Sequence, residues 1–295
     1  MTQQSFNRIS TALVGLVLLC SLLHAPAQSL LETNATPPQV GTGRLAGGGS
    51  VAGRALANQA NDPTAPLTLI QFSGGVSPHV PGYDSPASLF SIEPVTPIFP
   101  SRIFPFQQLL KTTIPFPTTP NPGSRTGLGD ISFFDLISIK QSWGRWGFGP
   151  AFVFPTATDK ALGQGKWQAG PAVAIIYTGD PNLTVGFSAE NPISFAGASG
   201  RPDANALSIT PTLTWNLPDN WFAGYSDFNF VFDWENNGRA TIPVGAQVGR
   251  VFNIGRMPVS LSIEGAANVV KPSNEGVPDW QINLEFTHIF TTIRH

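Results

Sequence analysis

The chain has 295 residues, a formal net charge of −2 and 12% charged residues, well below the ~25% of ordinary soluble domains. It contains 30 Gly and 28 Pro, which helix interiors exclude, so the composition argues against a mainly helical fold. There is no basic excess to neutralise phosphates, which argues against a nucleic-acid partner. The single Cys excludes a disulfide framework and a cysteine-ligated metal site.

The first 27 residues have the pattern of a secretory signal peptide. Arg8 supplies the positive n-region, residues 9–23 form an apolar run, and the sequence Ala-Pro-Ala at 25–27 supplies the cleavage pattern. The run is shorter than the ~20 residues that cross a membrane. A lipoprotein signal would use Cys20, but Leu19 stands where a small residue is expected. We therefore predict export and cleavage after Ala27, which removes the Cys.

Residues 28–66 are rich in Ala, Gly, Asn, Pro and Thr and contain no aromatic residue. Such a segment buries too little apolar surface to offset the entropy of ordering, so we predict a flexible periplasmic N-terminal segment. A small plug or a periplasmic contact arm is the alternative. At the other end, residues 291–295 are predicted to form a short C-terminal tail.

Between residues 67 and 290, apolar and polar residues alternate with period two, which is the pattern of strands with one apolar and one polar face. The clearest example is 207–217, where the apolar positions are Leu207, Ile209, Leu213, Trp215 and Leu217. The same pattern predicts about twelve strands, at 67–73, 88–98, 104–115, 127–140, 145–155, 166–178, 182–192, 205–217, 220–234, 240–254, 257–270 and 280–290.

Long and short connections alternate between these predicted strands. Bacterial outer-membrane barrels have short periplasmic turns and longer extracellular loops, and an even strand number places both termini in the periplasm. We therefore predict an all-β fold, a transmembrane antiparallel up-and-down β-barrel spanning residues 67–290. A secreted soluble β-sandwich also alternates its faces, but the long predicted strands, the low charge and the aromatics at strand ends weigh against it.

Individual residues refine the assignment of faces. In the predicted strand 220–234, Phe222 is placed on the apolar, lipid-facing side together with Phe228, Phe230, Phe232 and Trp234. Asp135 and Arg250 break the pattern because they fall in the apolar phase of their strands.

A series of short motifs occurs along the predicted barrel in a characteristic order. They are GLGD (127–130), GFGP (147–150), FPTATD (154–159), GQGKW (163–167), AGP (169–171), SFAG (194–197), DWE (233–235), IPVG (242–245), VGRVF (248–252), IGRMP (254–258) and PDW (278–280). Together they resemble the outer-membrane transporter family labelled "MetA-pathway of phenol degradation", sometimes misnamed neuromedin U in bacterial genomes. The resemblance covers residues 62–290 and implies an outer-membrane transporter. The family name suggests a link to the catabolism of aromatic compounds, and the resemblance brings no catalytic residues.

Enzymatic chemistry receives little support from the sequence. After signal cleavage the His residues are His79, His288 and His295, and none has a neighbourhood typical of a Ser–His–Asp triad or a metal site. We predict a protein that is not an enzyme, with no catalytic residues, no cofactor and no metal.

The polar faces of the predicted strands carry the functional hypothesis. A charge that faces lipid at mid-membrane costs about 2–4 kcal/mol for a basic residue, so charged and amide side chains on these faces are expected to point inward. The predicted lumen-lining and selectivity residues are Lys140, Lys166, Glu190, Asp227, Asn229, Asp233, Glu264, Asn283 and Glu285.

These residues predict an outer-membrane channel or transporter for small solutes, with aromatic or apolar compounds as candidates. The acidic excess on the last strands favours cations and neutral solutes over anions. The expected partners are outer-membrane lipid, a small-molecule solute and the barrel-assembly machinery. A non-conducting structural or surface-interaction barrel is the first alternative, and a secreted soluble β-sandwich that binds a ligand is the second.

Overall fold

The computed structural model describes Gln59, Asp62, residues 64–272 and residues 276–290. The predicted signal peptide (1–27), nearly all of the predicted N-terminal segment (28–66) and the predicted tail (291–295) lie outside the described residues. Within the described part of the chain, no helix is long and apolar enough to cross a membrane.

Fourteen antiparallel strands account for most of the described chain, and a single 3-10 turn lies at Pro218–Asn220. The strands are β1 (Thr68–Ser77), β2 (Ala87–Ile98), β3 (Gln107–Thr118), β4 (Ile131–Lys140), β5 (Gly144–Phe154), β6 (Lys166–Asp180), β7 (Leu183–Glu190), β8 (Ile193–Gly197), β9 (Ala206–Asn216), β10 (Trp221–Tyr225), β11 (Phe230–Asp233), β12 (Arg239–Ile254), β13 (Met257–Val270) and β14 (Trp280–Phe290).

The strands form one closed sheet. Each strand pairs with its neighbour along the chain or with the next strand beyond a short break, and β1 closes the ring by pairing with β14. Both β7 and β8 pair with β6, and both β10 and β11 lie between β9 and β12, so each of these pairs occupies one position in the ring. The fourteen strands therefore build a twelve-position antiparallel barrel. This confirms the predicted barrel and rules out the two-sheet sandwich.

The connections divide between the two ends of the barrel. One end, which we call the turn end, carries residues 99–106, 141–143, 181–182, 217–220 and 255–256. The opposite loop end carries residues 78–86, 119–130, 155–165, 198–205, 234–238, 271–272 and 276–279. The first strand begins and the last strand ends at the turn end, since Thr68 pairs with Phe290. The alternation of short and long connections predicted from the sequence is therefore present, apart from the longer 99–106 connection.

The period-two pattern places apolar side chains on the outside of the barrel. In β6, Trp167 is 45% exposed and Tyr177 is exposed at the other end of the same outer face, while the intervening inward residue Ala174 is fully buried. Exposed aromatics recur at both ends of the barrel, with Trp143, Trp215 and Trp221 near the turn end and Trp234 and Trp280 near the loop end. An outer apolar band flanked by aromatic residues is the exterior of a membrane barrel.

The prediction for Phe222 is wrong. Its side chain is 2% exposed and lines the interior, whereas the neighbouring Trp221 points outward. Phe228 also lines the interior, so its predicted outward direction is wrong as well. The strand is interrupted at 226–229 between β10 and β11, and this break changes the phase between Phe222 and the outward Trp234. A single continuous alternation across 220–234 could not represent the interruption.

The two charged residues in the apolar phase have different environments. The Arg250 guanidinium carbon lies 5.4 Å from the centroid of the Trp221 ring, and its Nε donates a hydrogen bond to the Asp219 carbonyl oxygen at 3.2 Å. Arg250 is therefore accommodated beside the turn end. The Oδ1 atom of Asp135, in the middle of β4, is buried with no hydrogen-bond partner among the described residues.

Candidate functional site

The barrel encloses a cavity of about 580 Å³, which is the candidate site. Its walls are formed by side chains from eleven of the twelve ring positions, all except that of β5. This volume lies within the ~300–1,000 Å³ that is usual for small-molecule sites.

Six of the nine predicted lumen residues line this cavity, and the remaining three lie at strand ends outside it. The six are Glu190, Asp227, Asn229, Glu264, Asn283 and Glu285. Lys140 is the exposed last residue of β4 at the turn end, and Lys166 and Asp233 lie at the loop end. The structure thus brings six of the predicted residues together in the cavity and separates them from Lys140 at the turn end and from Lys166 and Asp233 at the loop end.

Lys166 and Asp233 organise the loop end. The Lys166 Nζ donates a hydrogen bond to Asp203 Oδ1 at 2.9 Å. This hydrogen bond and the charge of Lys166 hold the pKa of the Asp203 carboxyl below its usual range. Asp233 Oδ1 accepts the backbone N–H groups of Glu235 and Asn236 at 3.1 and 3.3 Å, which fixes the turn at 234–238.

Hydrogen bonds hold an arc of acidic side chains on one wall of the cavity. Asn283 Nδ2 donates to Glu264 Oε1 at 2.9 Å, and the Asp227 backbone N–H donates to Glu264 Oε2 at 2.7 Å. Gln247 Nε2 donates to Asp227 Oδ1 at 3.1 Å. Gln71 Nε2 donates to Glu285 Oε2 at 2.8 Å. These contacts hold the carboxylates in fixed positions on the wall formed by β1, β10–β11, β12, β13 and β14.

Sequence reasoning missed two charged residues of the cavity, Glu93 on β2 and Lys111 on β3. The Lys111 Nζ lies 2.6 Å from Glu93 Oε2, and both residues line the cavity with the predicted carboxylates. Each is the only charged residue of its strand. The sequence feature that could have identified them is a single charged residue within an otherwise uncharged strand.

The wall across the ring from this acidic arc is apolar. Leu136 of β4, Ala151 of β5, and Ala172 and Ala174 of β6 form one buried cluster, with Phe134 packed against it. Of these, Phe134, Leu136, Ala172 and Ala174 line the cavity. In the twelve-position ring, β4–β6 lie opposite β12–β14. The cavity therefore has an apolar surface on β4 and β6 opposite the acidic, hydrogen-bonding wall, and Lys111 of β3 and Glu190 of β7 line the cavity on either side of this apolar surface.

The segment before β1 occupies the turn end of the cavity. Asp62, Thr64 and Ala65 are buried, and Gln59, Asp62 and Ala65 are among the cavity-lining residues. The Asp62 carboxylate forms an ion pair with the Arg145 guanidinium at the start of β5. The described end of the predicted N-terminal segment is thus packed inside the barrel.

At the loop end, the motif residues order the connection 155–165. Asp130, the last residue of GLGD, accepts the backbone N–H of Ala157 at 3.1 Å and that of Gln164 at 2.6 Å. The Arg201 guanidinium donates to the carbonyl oxygen of Lys160 at 2.8 Å and to those of Gly163 and Gln164. These contacts give the motifs a structural role in shaping the loop end.

His79 belongs to a salt-bridge cluster at the loop end. Its Nδ1 contacts the Asp279 carboxylate, and Lys271 Nζ contacts the other oxygen of Asp279 at 2.5 Å. The cluster ties the β1–β2 connection to the β13–β14 connection. Among the described residues, no group of three or more His, Cys, Asp and Glu side chains has an arrangement that could hold a metal ion.

Comparisons with known proteins identify the fold. No family model matches the chain, and no curated protein matches it, so the family indicated by the sequence motifs stays a prediction. Among solved structures, the COG4313 outer membrane channel from Pseudomonas putida F1 is similar with a TM-score of 0.53 and 9% identity, over 76% of this chain and 94% of that chain. This likeness is one of fold.

Two further solved structures are more distant. Outer membrane phospholipase A from Escherichia coli has a TM-score of 0.36 and 10% identity, over 77% of this chain and 98% of that chain. The Salmonella typhi outer membrane phospholipase dimer with bound calcium has a TM-score of 0.37 and 11% identity, over 81% of this chain and 97% of that chain.

Proposed function

We propose that the chain is an outer-membrane channel for small solutes whose lumen favours cations and neutral molecules over anions. The observation that carries the proposal is the cavity of about 580 Å³ inside a closed barrel, with Glu93, Glu190, Asp227, Glu264 and Glu285 on its walls. Charged rings that line a pore discriminate between ions of opposite sign. A single lysine, Lys111, accompanies these five carboxylates in the cavity.

The location follows from the exterior of the barrel. Its exposed face is apolar and flanked by aromatics, which favours lipid as the surrounding solvent. The solved outer membrane channel of similar fold supports the same location. In this proposal the chain is exported by the signal peptide 1–27, inserted by the barrel-assembly machinery and surrounded by outer-membrane lipid. Aromatic compounds, which the name of the resembled family suggests, are candidate solutes.

The first test separates location from transport. A purified outer-membrane fraction is expected to contain the protein as a band whose gel migration changes on heating, because a closed barrel resists unfolding by detergent. Reconstituted protein is expected to conduct KCl across planar bilayers and to admit small neutral solutes into liposomes. A purely soluble pool would contradict the location, while absence of both current and uptake would contradict the channel.

A non-conducting barrel is the second candidate, and one observation favours it. Buried Asp62 and Ala65 line the turn end of the cavity, where they narrow any path through the barrel. The same bilayer measurement distinguishes the two candidates, because a permanently closed barrel carries no current. We also propose that the protein is not an enzyme, since His79 shares Asp279 with Lys271 in a salt-bridge cluster. Lipid hydrolysis that is lost in His79→Ala would contradict that assignment.

A further inference from the structure

The acidic wall of the cavity has more hydrogen-bond acceptors than donors. Its carboxylates accept from Gln71, Gln247, Asn283 and Thr287, and Lys111 is paired with Glu93. Such a wall repels negatively charged solutes. A neutral solute that carries only hydrogen-bond acceptors finds few donors on it. The wall is suited to a ligand that brings positive charge and several N–H donors.

Asn283 provides a second and independent indication of a ligand. This side chain is 9% exposed and lines the cavity beside Glu264. Its Nδ2 donates a hydrogen bond to Glu264 Oε1. Its Oδ1 is buried and has no hydrogen-bond partner among the described residues. A buried acceptor without a partner costs about 1–3 kcal/mol, and a donor on a bound ligand would remove that cost.

The opposite side of the cavity indicates the chemical character of the rest of the ligand. Phe134, Leu136, Ala172 and Ala174 present an apolar surface across the ring from Glu264 and Asn283. An inorganic cation makes no use of this surface. The described residues also contain no metal-binding group of three His, Cys, Asp or Glu side chains. The two walls together favour an organic cation with an apolar body.

We propose that the lumen binds protonated amines that carry an aromatic or alkyl body. The ammonium group donates to the Glu264 carboxylate and to Asn283 Oδ1, and the body packs against Phe134 and Leu136. The inference rests on the proposed channel function and names the solute class of the same cavity. The cavity of about 580 Å³ accommodates an amine of this size with room for water.

The experiment uses four probes on the purified barrel in detergent, with binding measured by titration calorimetry at neutral pH. The probes are phenethylammonium, phenethyl alcohol, phenylacetate and methylammonium. Phenethylammonium is expected to bind at least about tenfold more tightly than each of the others, because only it satisfies both walls. Equal binding of phenethyl alcohol or phenylacetate would overturn the role of the charge, and equal binding of methylammonium would overturn the role of the apolar wall.

Variants locate the binding within the cavity. Glu264→Gln is expected to weaken phenethylammonium binding at least about tenfold, since it removes the charge of one charge-assisted hydrogen bond. Glu285→Gln, in a neighbouring part of the acidic wall, is expected to weaken it less. The matched control is Glu235→Gln, which removes the same charge at the exposed loop-end turn 234–238 and is expected to leave binding unchanged. Equal losses in Glu264→Gln and Glu235→Gln would overturn the site.

Two readouts keep this inference separate from the proposed function. Heat-dependent gel migration shows whether each variant forms the barrel, so a loss of binding is compared only between folded proteins. KCl conductance of the wild-type protein tests the channel without any amine. Conductance without selective amine binding contradicts the inference alone, whereas selective binding without conductance contradicts the channel and leaves the binding site intact.

Discussion

The Asp62 carboxylate forms an ion pair with the Arg145 guanidinium, which joins the segment before β1 to the start of β5 across 83 positions of sequence. The Asp62 side chain is 1% exposed and that of Arg145 is 17% exposed. The second oxygen of Asp62 accepts the Thr64 backbone N–H at 2.8 Å and the Thr64 hydroxyl at 2.6 Å. Both oxygens are therefore engaged, and the segment is held at the turn end of the cavity.

Releasing this ion pair is expected to open the turn end. Removing one partner of a buried pair costs about 3–5 kcal/mol, which destabilises the packed position of the segment relative to a released one. Asp62→Asn should therefore increase single-channel KCl conductance in planar bilayers. Asp84→Asn, at an exposed loop-end position, is the matched control with the same chemical change. Unchanged conductance in Asp62→Asn would show that the segment does not limit the path.

Close strand packing predicts a difference between two glycines. A Cβ added at Gly149 would lie 1.8 Å from the Asp135 carbonyl oxygen, while a Cβ at Gly74 would meet nothing within 4 Å. Gly149→Ala must displace the β4–β5 backbone, so it should reduce the free energy of unfolding by about 1–3 kcal/mol or more. Gly74→Ala should change it by less than about 0.5 kcal/mol. Urea unfolding in lipid vesicles provides the comparison, and equal effects would contradict the described packing.

Asp135 predicts a stabilising substitution. Its Oδ1 is buried without a hydrogen-bond partner among the described residues, and a buried unpartnered polar group costs about 1–3 kcal/mol. Asp135→Leu should therefore increase the free energy of unfolding by about 1–2 kcal/mol. Asp233→Leu should have the opposite sign, because Asp233 accepts the backbone N–H groups of its turn. Destabilisation by Asp135→Leu would indicate a contact that offsets this cost.

The Lys166–Asp203 contact predicts a pH effect. The lysine lowers the pKa of Asp203, so the stabilisation from this pair is fully present above the ordinary Asp pKa and is lost as the pH falls through the lowered one. Lys166→Met should raise the Asp203 pKa toward its ordinary value, measured by carbon NMR of labelled Asp carboxyls. Lys160→Met, at an exposed position nearby in the loop end, should leave it unchanged. If the Asp203 pKa stays as low in Lys166→Met as in the wild type, Lys166 is not the cause of the lowered pKa.

The architecture could be predicted from the sequence because successive side chains of a barrel strand alternate between its outer and inner faces. In β6, apolar side chains such as Trp167 and Tyr177 must face outward and small ones such as Ala174 inward, and a closed ring repeats that rule on every strand. The alternation of short and long connections could be predicted from the lengths of the gaps between the predicted strands. Phe222 was misplaced because the interruption at 226–229 shifts the phase, and alternation alone does not indicate where a strand breaks.

The site was only partly accessible from the sequence. Glu264 and Glu285 lie on strands with clear alternation, so their inward direction could be predicted. Glu93 and Lys111 were missed because the alternation around them is weaker, and their 2.6 Å contact depends on the register between β2 and β3. Asp62 was missed because its partner, Arg145, lies 83 positions away, and composition alone describes the segment as flexible.

The reversal potential under a KCl gradient in planar bilayers tests most directly whether the acidic lumen conducts small solutes and favours cations. The wild-type barrel is expected to show the sign of a cation-selective pore. The Glu264→Lys and Glu285→Lys double variant is expected to shift the potential toward anion selectivity, with Glu235→Lys at the exposed turn as the control that leaves it unchanged. The proposed function would be contradicted if the wild-type barrel carried no current or were anion-selective. It would also be contradicted if the double variant had the same reversal potential as the wild type.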